Sequence, residues 1–259
     1  MSHDNLTNQR YLSGDYAAKN PSWDLEDAPW KARQVLEIVR AHKLSPASIA
    51  EVGCGAGGVL AKLRSGFPET DLFGFDIAPA AQRHWAQFAQ ANIQFTVGDL
   101  FSLSQRHYEL MLVLDVVEHV PDPFEFLARL RSHADYFLFH FPLDLSAISV
   151  LRESPLLYAR EKVGHIHYYT KGLVLATLTE CGYDIVDWRY TGATFTAPQR
   201  TWKTRLASPL RRAAYALNKD MGVRLLGGET LMLLARVKEN RGIVSSDVNS
   251  AVSPNGVCE

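Results

Sequence analysis

The stretch IAEVGCGAGG at residues 49–58 places four glycines within six positions, directly after a short apolar run that contains the carboxylate of Glu51. Gly53, Gly55 and Gly58 fit the spacing G-x-G-x-x-G between a predicted strand and a predicted helix. Glycines let the chain turn sharply, and the missing Cβ atoms let a ligand lie against backbone amides at the start of the helix. The stretch predicts a nucleoside-binding turn, and its spacing alone fits nicotinamide dinucleotides, flavins and other nucleosides.

Strand-like and helix-like segments alternate on both sides of this turn. Such alternation is typical of an α/β protein whose parallel sheet is covered by helices on both faces, a Rossmann-like three-layer sandwich. The pattern predicts strands at 48–52, 72–75, 93–97, 110–114, 136–141, 183–190 and 230–237. It predicts helices at about 29–43, 57–64, 79–90, 123–132 and 171–181.

Composition excludes several classes of protein. The 27 basic and 28 acidic residues nearly balance, which gives no case for a nucleic-acid partner. No apolar run approaches the roughly 20 residues of a membrane span, and the first residues lack the apolar core of a signal peptide. Three scattered cysteines suggest neither a disulfide framework nor a zinc cluster. We therefore expect a cytoplasmic protein.

The chain divides into three predicted regions. Residues 1–28 form an N-terminal cap segment with an unusual load of aromatic residues, which we expect to fold over the ligand. Residues 29–238 form the main domain, with an inserted lid at 195–228 between the last two strands. Residues 239–259 are polar and lack periodicity, so we expect a disordered tail.

Glu51 discriminates between the candidate ligands. A dinucleotide would place a doubly negative pyrophosphate at the glycine turn, where a neighbouring carboxylate repels it. A ligand that carries an ammonium or a sulfonium group tolerates or prefers that charge. S-adenosylmethionine carries both cations and no phosphate, so it is the ligand that the turn favours.

Two further acids follow the next two predicted strands. Asp76 ends the second strand, where a carboxylate can accept hydrogen bonds from ribose hydroxyls. Asp99 ends the third strand, where it can accept from the exocyclic amine of adenine. Each acid alone could equally be a helix cap or a turn residue. Three acids at the ends of three successive strands make coincidence a poorer explanation.

These motifs resemble the class I S-adenosylmethionine-dependent methyltransferases over residues 29–237. The segment 51–57 resembles the first motif of that family, Asp76 its ribose acid, and 97–99 its adenine motif. The family implies a seven-stranded, mostly parallel sheet whose last strand is antiparallel. It also implies that the cofactor contacts Glu51, Gly53, Cys54, Gly55, Gly57, Asp76, Ile77, Gly98, Asp99, Leu100 and Asp115.

Two more segments are similar to a subgroup that includes the ubiquinone-biosynthesis O-methyltransferases. One is LDVVEHVPDP at 114–123, and the other is GHIHYYT at 164–170. In that subgroup a Glu-x-x-Glu-His cluster holds a divalent metal, and Asp115, Glu118 and His119 match it with one shorter side chain. The resemblance to methyltransferases of glycan and secondary-metabolite pathways is looser, and it rests on the patterns Gly-Asp-Tyr at 14–16, Asn-Pro-x-Trp at 20–23 and Pro-Trp-Lys-Ala at 29–32.

A hydroxyl acceptor must lose a proton during methyl transfer, either to a base or with help from a metal. Glu118 and His119 leave the fourth strand beside the predicted cofactor turn, so they are candidates for both roles. His165 and His167 share one face of an extended segment and are candidate residues of the acceptor side. For all four, ordering of the loops is the alternative, and no metal is required by the pattern.

The acceptor is expected to be a small molecule, or one linked to a glycan or a lipid, with methylation at oxygen. A peripheral membrane contact could run through 143–163, which is rich in Leu and Ile, or through the basic segment 200–224. Arg211 and Arg212 could meet an anionic acceptor or could belong to a solvated lid. Two rival functions remain: a non-catalytic S-adenosylmethionine-binding module, and a nicotinamide-dependent oxidoreductase, which Glu51 disfavours.

Overall fold

The computed structural model describes residues 4–198 and 202–238. Within these residues seven strands form one sheet: β1 (Ser48–Val52), β2 (Asp71–Asp76), β3 (Ile93–Val97), β4 (Tyr108–Leu114), β5 (Ala134–Pro142), β6 (Tyr183–Tyr190) and β7 (Thr230–Val237). The strand order is β3-β2-β1-β4-β5-β7-β6. Strand β7 runs antiparallel to both β5 and β6, and the other pairings are parallel. The predicted fold class is confirmed.

Helices and turns of helix connect these strands. The α-helices are α1 (Asp4–Leu12), α2 (Asp15–Lys19), α3 (Ala28–Ala41), α4 (Gly58–Leu63), α5 (Leu100–Leu103), α6 (Pro123–Leu130), α7 (Ala147–Arg152), α8 (Ser154–Tyr158), α9 (Lys171–Glu180), α10 (Ala193–Thr196), α11 (Trp202–Leu217) and α12 (Lys219–Leu226). The helix expected at 79–90 is a 3₁₀ segment, Pro79–Ala91, with non-helical backbone at Phe88.

Each face of the sheet has its own hydrophobic core, because successive side chains of a strand point to opposite faces. Leu112 and Leu138 pack with side chains of α3 and α4 on one face. Val113 and Phe139 pack with side chains of α6 and α9 on the other. The three layers follow from this division, and the strands converge on a shared carboxyl edge.

Caps fix where two helices begin and where one ends. Asp122 accepts a hydrogen bond from the amide of Glu125 at 2.9 Å, and Pro123 occupies the first helical position of α6. Thr170 caps α9 in the same way. Gly182 follows α9 with a φ of 82°, a left-handed conformation that favours glycine and stops the helix.

The N-terminal segment is attached to the chain beyond β5. Arg10, Lys19 and Asn20 donate hydrogen bonds to the backbone carbonyls of residues 160–162, at 3.3, 3.2 and 3.2 Å. These carbonyls lie in a π-helical turn, Ala159–Val163, that continues α8. Cationic side chains at the end of a helix also interact favourably with its dipole. The predicted cap 1–28 is thus a folded element in the described residues from 4 onward.

The insertion between β6 and β7 contains α10, α11 and α12 in the described part of 195–228. Its inner side is held by Arg211, which donates to Thr194 Oγ1 at 3.1 Å and to the carbonyl of Leu226 at 3.3 Å. Tyr215 donates to the carbonyl of Gly227 at 2.6 Å. The predicted disordered tail, 239–259, lies outside the described residues.

Arg64, just after α4, joins the loops that lead into β2 and β3. Its guanidinium group donates at 2.7 to 3.0 Å to the backbone carbonyls of Phe67, Pro68, Thr70, Ala91 and Asn92. The planar fork of arginine can serve several acceptors at once, which the point charge of lysine cannot. Arg64 therefore sets where two neighbouring strands begin.

We expect Arg64→Lys to lower the free energy of unfolding by about 1–3 kcal/mol, because buried carbonyl groups lose their donors. Urea denaturation followed by circular dichroism measures the change. The control is Arg83→Lys on the 3₁₀ segment, an exposed position, which should stay within about 0.5 kcal/mol of the wild type. Equal stability of both variants would contradict the role of Arg64.

Candidate functional site

A cavity of about 440 Å³ opens at the carboxyl edge of the sheet, beneath the N-terminal segment. Ligands of open α/β sheets bind at this edge. The ends of β1, β2, β4 and β5 and the glycine turn form much of the wall. Aromatic side chains complete it: the rings of Tyr11 and Tyr16 lie 5.1 Å apart, and those of Tyr16 and Trp23 also 5.1 Å.

The glycine turn presents bare backbone to the cavity. Gly53 and Gly55 have φ values of 68° and 51°. A Cβ atom at Gly53 would stand 2.6 Å from Cγ2 of Val116, so no side chain fits there. The amides of Gly53 and Cys54 both donate to the carbonyl of Phe75, at 2.8 and 3.0 Å, which ties the turn to β2.

Gly57 has a packing role and does not line the cavity. Its φ is 81°, and a Cβ atom would stand 2.4 Å from Cζ of Phe95. The ring of Phe95 stacks on Trp85 at 4.9 Å, and Trp85 Nε1 donates to the carbonyl of Gly55 at 2.9 Å. The glycine thus allows an aromatic pair to support the turn from behind.

Asp76 connects the turn to the end of β2. Its Oδ2 accepts from the amide of Gly55 at 2.7 Å, and its Oδ1 accepts from the amide of Ala78 at 2.8 Å. Burial raises the pKa of this carboxyl group, and the two amides oppose that rise. A carboxylate oxygen has two lone pairs, so each oxygen can accept a second hydrogen bond from a ligand in the cavity.

The segment predicted as the adenine motif lines the cavity through Gly98 and Asp99, and Ile77 and Leu100 lie in the same wall. Asp99 caps α5: its Oδ1 accepts from the amide of Phe101 at 3.2 Å and its Oδ2 from Ser102 Oγ at 3.3 Å. The helix-cap role, which the sequence left open, is therefore present. It is compatible with a ligand contact, because Asp99 also lines the cavity.

A chain of hydrogen bonds runs through the wall near α3. Lys31 Nζ lies 2.7 Å from Asp115 Oδ2, and His140 Nδ1 lies 2.6 Å from Asp115 Oδ1. His140 Nε2 lies 2.7 Å from Thr230 Oγ1. Burial would raise the pKa of Asp115, but His140 and Lys31 hold it well below its usual range. Asp115 is thus a charged partner of two basic side chains.

Glu51 is buried in the same wall, with 3% of its surface exposed. Among the described residues its Oε2 has no hydrogen-bond partner. Burial raises the pKa of Glu51 to about 8, although Lys31 opposes the rise. Without a ligand the group is therefore mostly protonated at pH 7. A cationic ligand next to it would favour the carboxylate.

A second cluster joins the 3₁₀ turn Val117–His119 to the segment before α9. His119 Nε2 and His165 Nε2 each lie 3.9 Å from Oε1 of Glu118, which is fully buried. Burial raises the pKa of Glu118 well above its usual range, and nearby Asp115 adds to the rise. Burial and His165 lower the pKa of His119 to about 4. Both histidines line the cavity, and Glu118 lies behind them.

The segment 165–167 is anchored to the same turn. The amides of Ile166 and His167 donate to the carbonyl of Glu118 at 2.9 and 3.1 Å, and His167 Nε2 lies 3.0 Å from the carbonyl of Val120. His167 thus orders the loop and lies outside the cavity wall. His165 Nδ1 instead lies 2.6 Å from Asp144 Oδ2, which fixes the orientation of its ring.

The same cluster contains the side chains that could hold a divalent cation. Within the described part of the chain, single ligand atoms of Glu118, His119 and His165 lie within 4.8 Å of one another. Neither oxygen of Glu118 has a hydrogen-bond partner in another described residue. Asp144 behind His165 resembles the carboxylate that commonly orients a metal-binding histidine. Asp115 is committed to Lys31 and His140, so His165 takes its place in the candidate ligand set.

Sequence reasoning missed the part of the wall made by Lys31, His140, Thr230 and Asp144. His140 lies on the apolar strand β5, where its sequence context predicts a satisfied core residue, and it is buried with both ring nitrogens bonded. Its position two residues before the end of β5 was the available signal, since strand ends meet at the ligand edge. Asp144, two residues beyond β5, carried the same signal.

A pattern of the nicotinamide enzymes occurs after β5 without meeting the cavity. Tyr158 and Lys162 have the spacing Tyr-x-x-x-Lys, which such an oxidoreductase would need beside its ligand. Tyr158 is 65% exposed, and Lys162 donates to the carbonyl of Lys19. Neither residue lines the cavity wall. Tyr215 and Lys219 have the same spacing and do not line the cavity either, so within the described residues neither pair meets the requirement of this rival function.

The fold and the glycine turn define a nucleotide-type ligand site of the class I methyltransferase sheet. Residues 27–187, more than half of the chain, match the model of a family described as a methyltransferase domain. The chain therefore belongs to this family. Residues 27–187 thus form a methyltransferase domain.

One curated relative is a trans-aconitate 2-methyltransferase from Deinococcus radiodurans. It is 29% identical over 110 residues, which cover 42% of this chain and 41% of that protein. The chain thus matches about two fifths of the length of that relative. Because the match is partial, it supports membership of the family and does not identify the acceptor.

Solved structures show the same fold at low sequence identity. The plantazolicin methyltransferase BpumL, in complex with a monoazolic desmethylPZN analog and SAH, matches with a TM-score of 0.59 at 16% identity, over 90% of this chain and 94% of that one. The magnesium protoporphyrin IX methyltransferase ChlM from Synechocystis PCC 6803, with bound SAH, matches with a TM-score of 0.54 at 17% identity, over 82% and 83% of the two chains.

We expect Asp76→Asn to weaken binding of S-adenosylmethionine by about 1–3 kcal/mol, because an amide NH₂ cannot accept from the second backbone N–H and the turn shifts. Isothermal titration calorimetry measures the affinity. The matched control is Asp71→Asn at the opposite, exposed end of β2, which should bind as the wild type does. An unchanged affinity of the Asp76 variant would remove this residue from the cofactor site.

Proposed function

We propose that this protein transfers the methyl group of S-adenosylmethionine to a hydroxyl oxygen of a small-molecule, glycan or lipid-linked acceptor. The observation that carries the proposal is the Asp144–His165 pair. Asp144 fixes Nδ1 of His165 at 2.6 Å. His165 lines the cavity, and Nε2 of the same ring lies 3.9 Å from the nearest oxygen of Glu118, which is beyond hydrogen-bonding distance.

The proposed reaction needs a base and little else from the protein. The sulfonium methyl group is already activated, so the enzyme mainly aligns acceptor, methyl carbon and sulfur and excludes water. His165 Nε2 takes the proton of the acceptor hydroxyl as its oxygen forms the bond to the methyl carbon and the carbon–sulfur bond breaks. The products are the methyl ether, S-adenosylhomocysteine and a histidinium ion, which Asp144 stabilises.

His119 is less suited to the role of base than His165. Its lowered pKa, about 4, means that it is a weak proton acceptor. It stays neutral at pH 7 and so brings no second positive charge next to the sulfonium. The edge of its ring faces the ring of Tyr11 with 6.1 Å between the centres. We assign His119 to shaping the acceptor end of the cavity.

On the cofactor side, we assign charge recognition to Glu51 and positioning to the glycine turn. The turn supplies backbone amides and close approach, and Asp76 and Asp99 supply acceptors for hydroxyl and amine groups. Lys31 is the cation that lowers the pKa of Glu51, but Lys31 already pairs with Asp115 at 2.7 Å. The ammonium and sulfonium groups of the cofactor would complete its charge balance.

A divalent cation is a second candidate means of activating the acceptor. Glu118, His119 and His165 would hold it, and a bound cation would supply a lowered pKa for the acceptor hydroxyl. In that case both histidines would act as ligands and His165 would not take the proton. Loss of methyl transfer on treatment with a chelator, restored by one divalent metal, would favour this candidate over the base.

The non-catalytic rival predicts cofactor binding without turnover. Labelled-methyl transfer from S-adenosylmethionine into fractionated extracts of the native host, followed by mass identification of the product, tests the proposed function directly. A methyl ether as product supports it. Labelling of nitrogen or carbon would overturn the assignment to oxygen, and cofactor binding with no transfer to any fraction would favour the rival.

We expect His165→Gln to lower turnover by about 10²–10⁴-fold and Asp144→Asn by a smaller factor, with S-adenosylmethionine affinity unchanged in both. The loss follows from removing the base or its orienting partner. The assay is methyl transfer to the identified acceptor across a pH series, in which the Asp144 variant should shift the pH profile.

The surface pair His107 and Asp135, 2.8 Å apart, offers matched controls. His107→Gln and Asp135→Asn should leave turnover and its pH profile unchanged. Normal turnover of the His165 variant would exclude it as the base. Restoration of that variant by added metal would instead point to the cation.

We expect binding of S-adenosylmethionine to release a proton near pH 7, because the free Glu51 carboxyl has a pKa of about 8 and a cationic ligand favours its ionised form. The affinity should rise as the pH increases toward 8. Calorimetry in two buffers of different ionisation enthalpy measures the released proton.

Glu51→Gln should abolish the release, and Glu109→Gln, at the other end of the sheet, should preserve it. Equal proton release by wild type and the Glu51 variant would show that another group titrates. Proton uptake on binding would contradict the charge argument.

A further inference from the structure

Helix α11 carries an exposed stripe of leucines. Leu206, Leu210 and Leu217 are 75%, 65% and 89% exposed, and Ala213 between them is also exposed. Their spacings of four, three and four residues place all four on one side of an α-helix. We call these four residues the leucine face. Apolar side chains seldom stand so far out of a folded surface in a row, unless something covers them.

The opposite side of α11 is fixed to the domain. Arg211 bonds to α10 and to the carbonyl end of α12, and Tyr215 bonds to the carbonyl of Gly227. The ring of Tyr215 also meets that of Phe195 edge-on at 5.7 Å. The helix therefore cannot roll to bury its leucines without breaking these contacts, and the leucine face is a stable part of the surface.

The charge of α11 selects the kind of surface that would cover it. The helix contains four basic residues and no acid in its sequence, WKTRLASPLRRAAYAL. Arg205 and Arg212 are exposed and share one side of the helix, about 110–130° around its axis from the middle of the leucine face. The guanidinium group of Arg212 also lies 5.3 Å from the centre of the Phe195 ring. The charge is local, since the whole chain has a net charge of −1. Apolar side chains flanked by cations fit an anionic lipid surface.

The other exposed apolar segment lacks this charge. Residues 143–163 also expose large side chains, with Leu151 at 86% and Tyr158 at 65%. The segment has three bases and three acids: Arg152, Arg160, Lys162, Asp144, Glu153 and Glu161. Charge complementarity therefore favours α11 over this segment as the docking element.

We propose that the leucine face and its flanking arginines bind the surface of an anionic lipid bilayer. The helix lies in the interface with its leucines inserted among the acyl chains and its arginines at the headgroups. Within the described residues no helix is long and apolar enough to cross a bilayer. The contact is peripheral, and it depends on salt.

The docking element adjoins the cavity. Ala193 of α10 and Ala197, the residue after this helix, line the cavity. Arg211 and Tyr215 hold α10 against α11. A bilayer seated on α11 would thus bring lipid-linked acceptors near the acceptor end. Membrane binding itself does not rest on the proposed methyl transfer, because it can be measured without cofactor or acceptor.

Vesicle flotation tests the proposal with the full chain. Vesicles of phosphatidylcholine with phosphatidylglycerol should float the protein, and vesicles of phosphatidylcholine alone should float much less. The triple variant Leu206→Ser, Leu210→Ser, Leu217→Ser should bind the anionic vesicles about tenfold more weakly. Arg205→Gln with Arg212→Gln should weaken binding and reduce its dependence on salt.

The control is Leu151→Ser with Leu157→Ser, two exposed leucines of the mixed-charge segment, which should bind vesicles as the wild type does. Circular dichroism and cofactor affinity confirm that each variant is folded. Failure of the wild type to bind anionic vesicles, or equal binding by the triple variant, overturns the proposal. A triple variant that changes only the oligomeric state in solution does so too, because the leucine face would then cover a second copy.

Discussion

Two hydrogen bonds to the carboxylate of Asp76 hold the cofactor wall together. One comes from the glycine turn after β1 and the other from the backbone beyond β2, at 2.7 and 2.8 Å. The turn can only be this tight because Gly53 lets Val116 approach within 2.6 Å of where a Cβ atom would stand. The meeting of β1, β2 and β4 at the glycine turn thus depends on one acid and one missing side chain.

The charges of the cavity follow from this close packing. Burial acts to raise the pKa of Asp115, Glu51 and Glu118, but Lys31 and His140 keep Asp115 ionised. Glu51 and Glu118 have no such partner and their pKa values rise. The site therefore holds one acid with cationic partners, Asp115, and two acids without one. Glu51 lies on the proposed cofactor side, and Glu118 lies beside the histidines of the proposed acceptor side. A buried acid without a partner is costly unless it is protonated or meets a cation.

The sequence predicts what is local along the chain and misses what is assembled from distant parts. The glycine turn, Asp76 and Asp99 follow their strands directly, so strand periodicity and motif spacing were enough to place them. Asp144 and His165 are 21 residues apart, and Lys31 and Asp115 are separated by four strands and their connections. Their meeting is set by the crossing of α3 and the loop before α9 over the sheet edge.

Gly57 is the opposite case, a residue that the sequence motif includes but that does not line the cavity. It fits the motif, but its backbone conformation and the ring of Phe95 give it a packing role that no spacing rule distinguishes from a ligand contact. The orientation of His140 is a similar case. A histidine on an apolar strand reads as core, and only the strand order, which brings Thr230 of β7 beside it, shows that it reaches the cavity.

The residues that we propose to act on the acceptor lie mostly after β5, outside the glycine turn. Side-chain hydrogen bonds hold these parts, Asp144, His165 and α10 to α12, to one another and to the ends of strands. The residues on their exposed surfaces can therefore vary while the sheet stays intact. In α11 the inward side carries Arg211 and Tyr215, which fix the helix, and the outward side carries leucines that contribute nothing to its attachment. The stability of the domain does not explain an apolar outer surface on a helix that is attached by its inner side. A contact with something outside the domain is the remaining physical explanation for this surface.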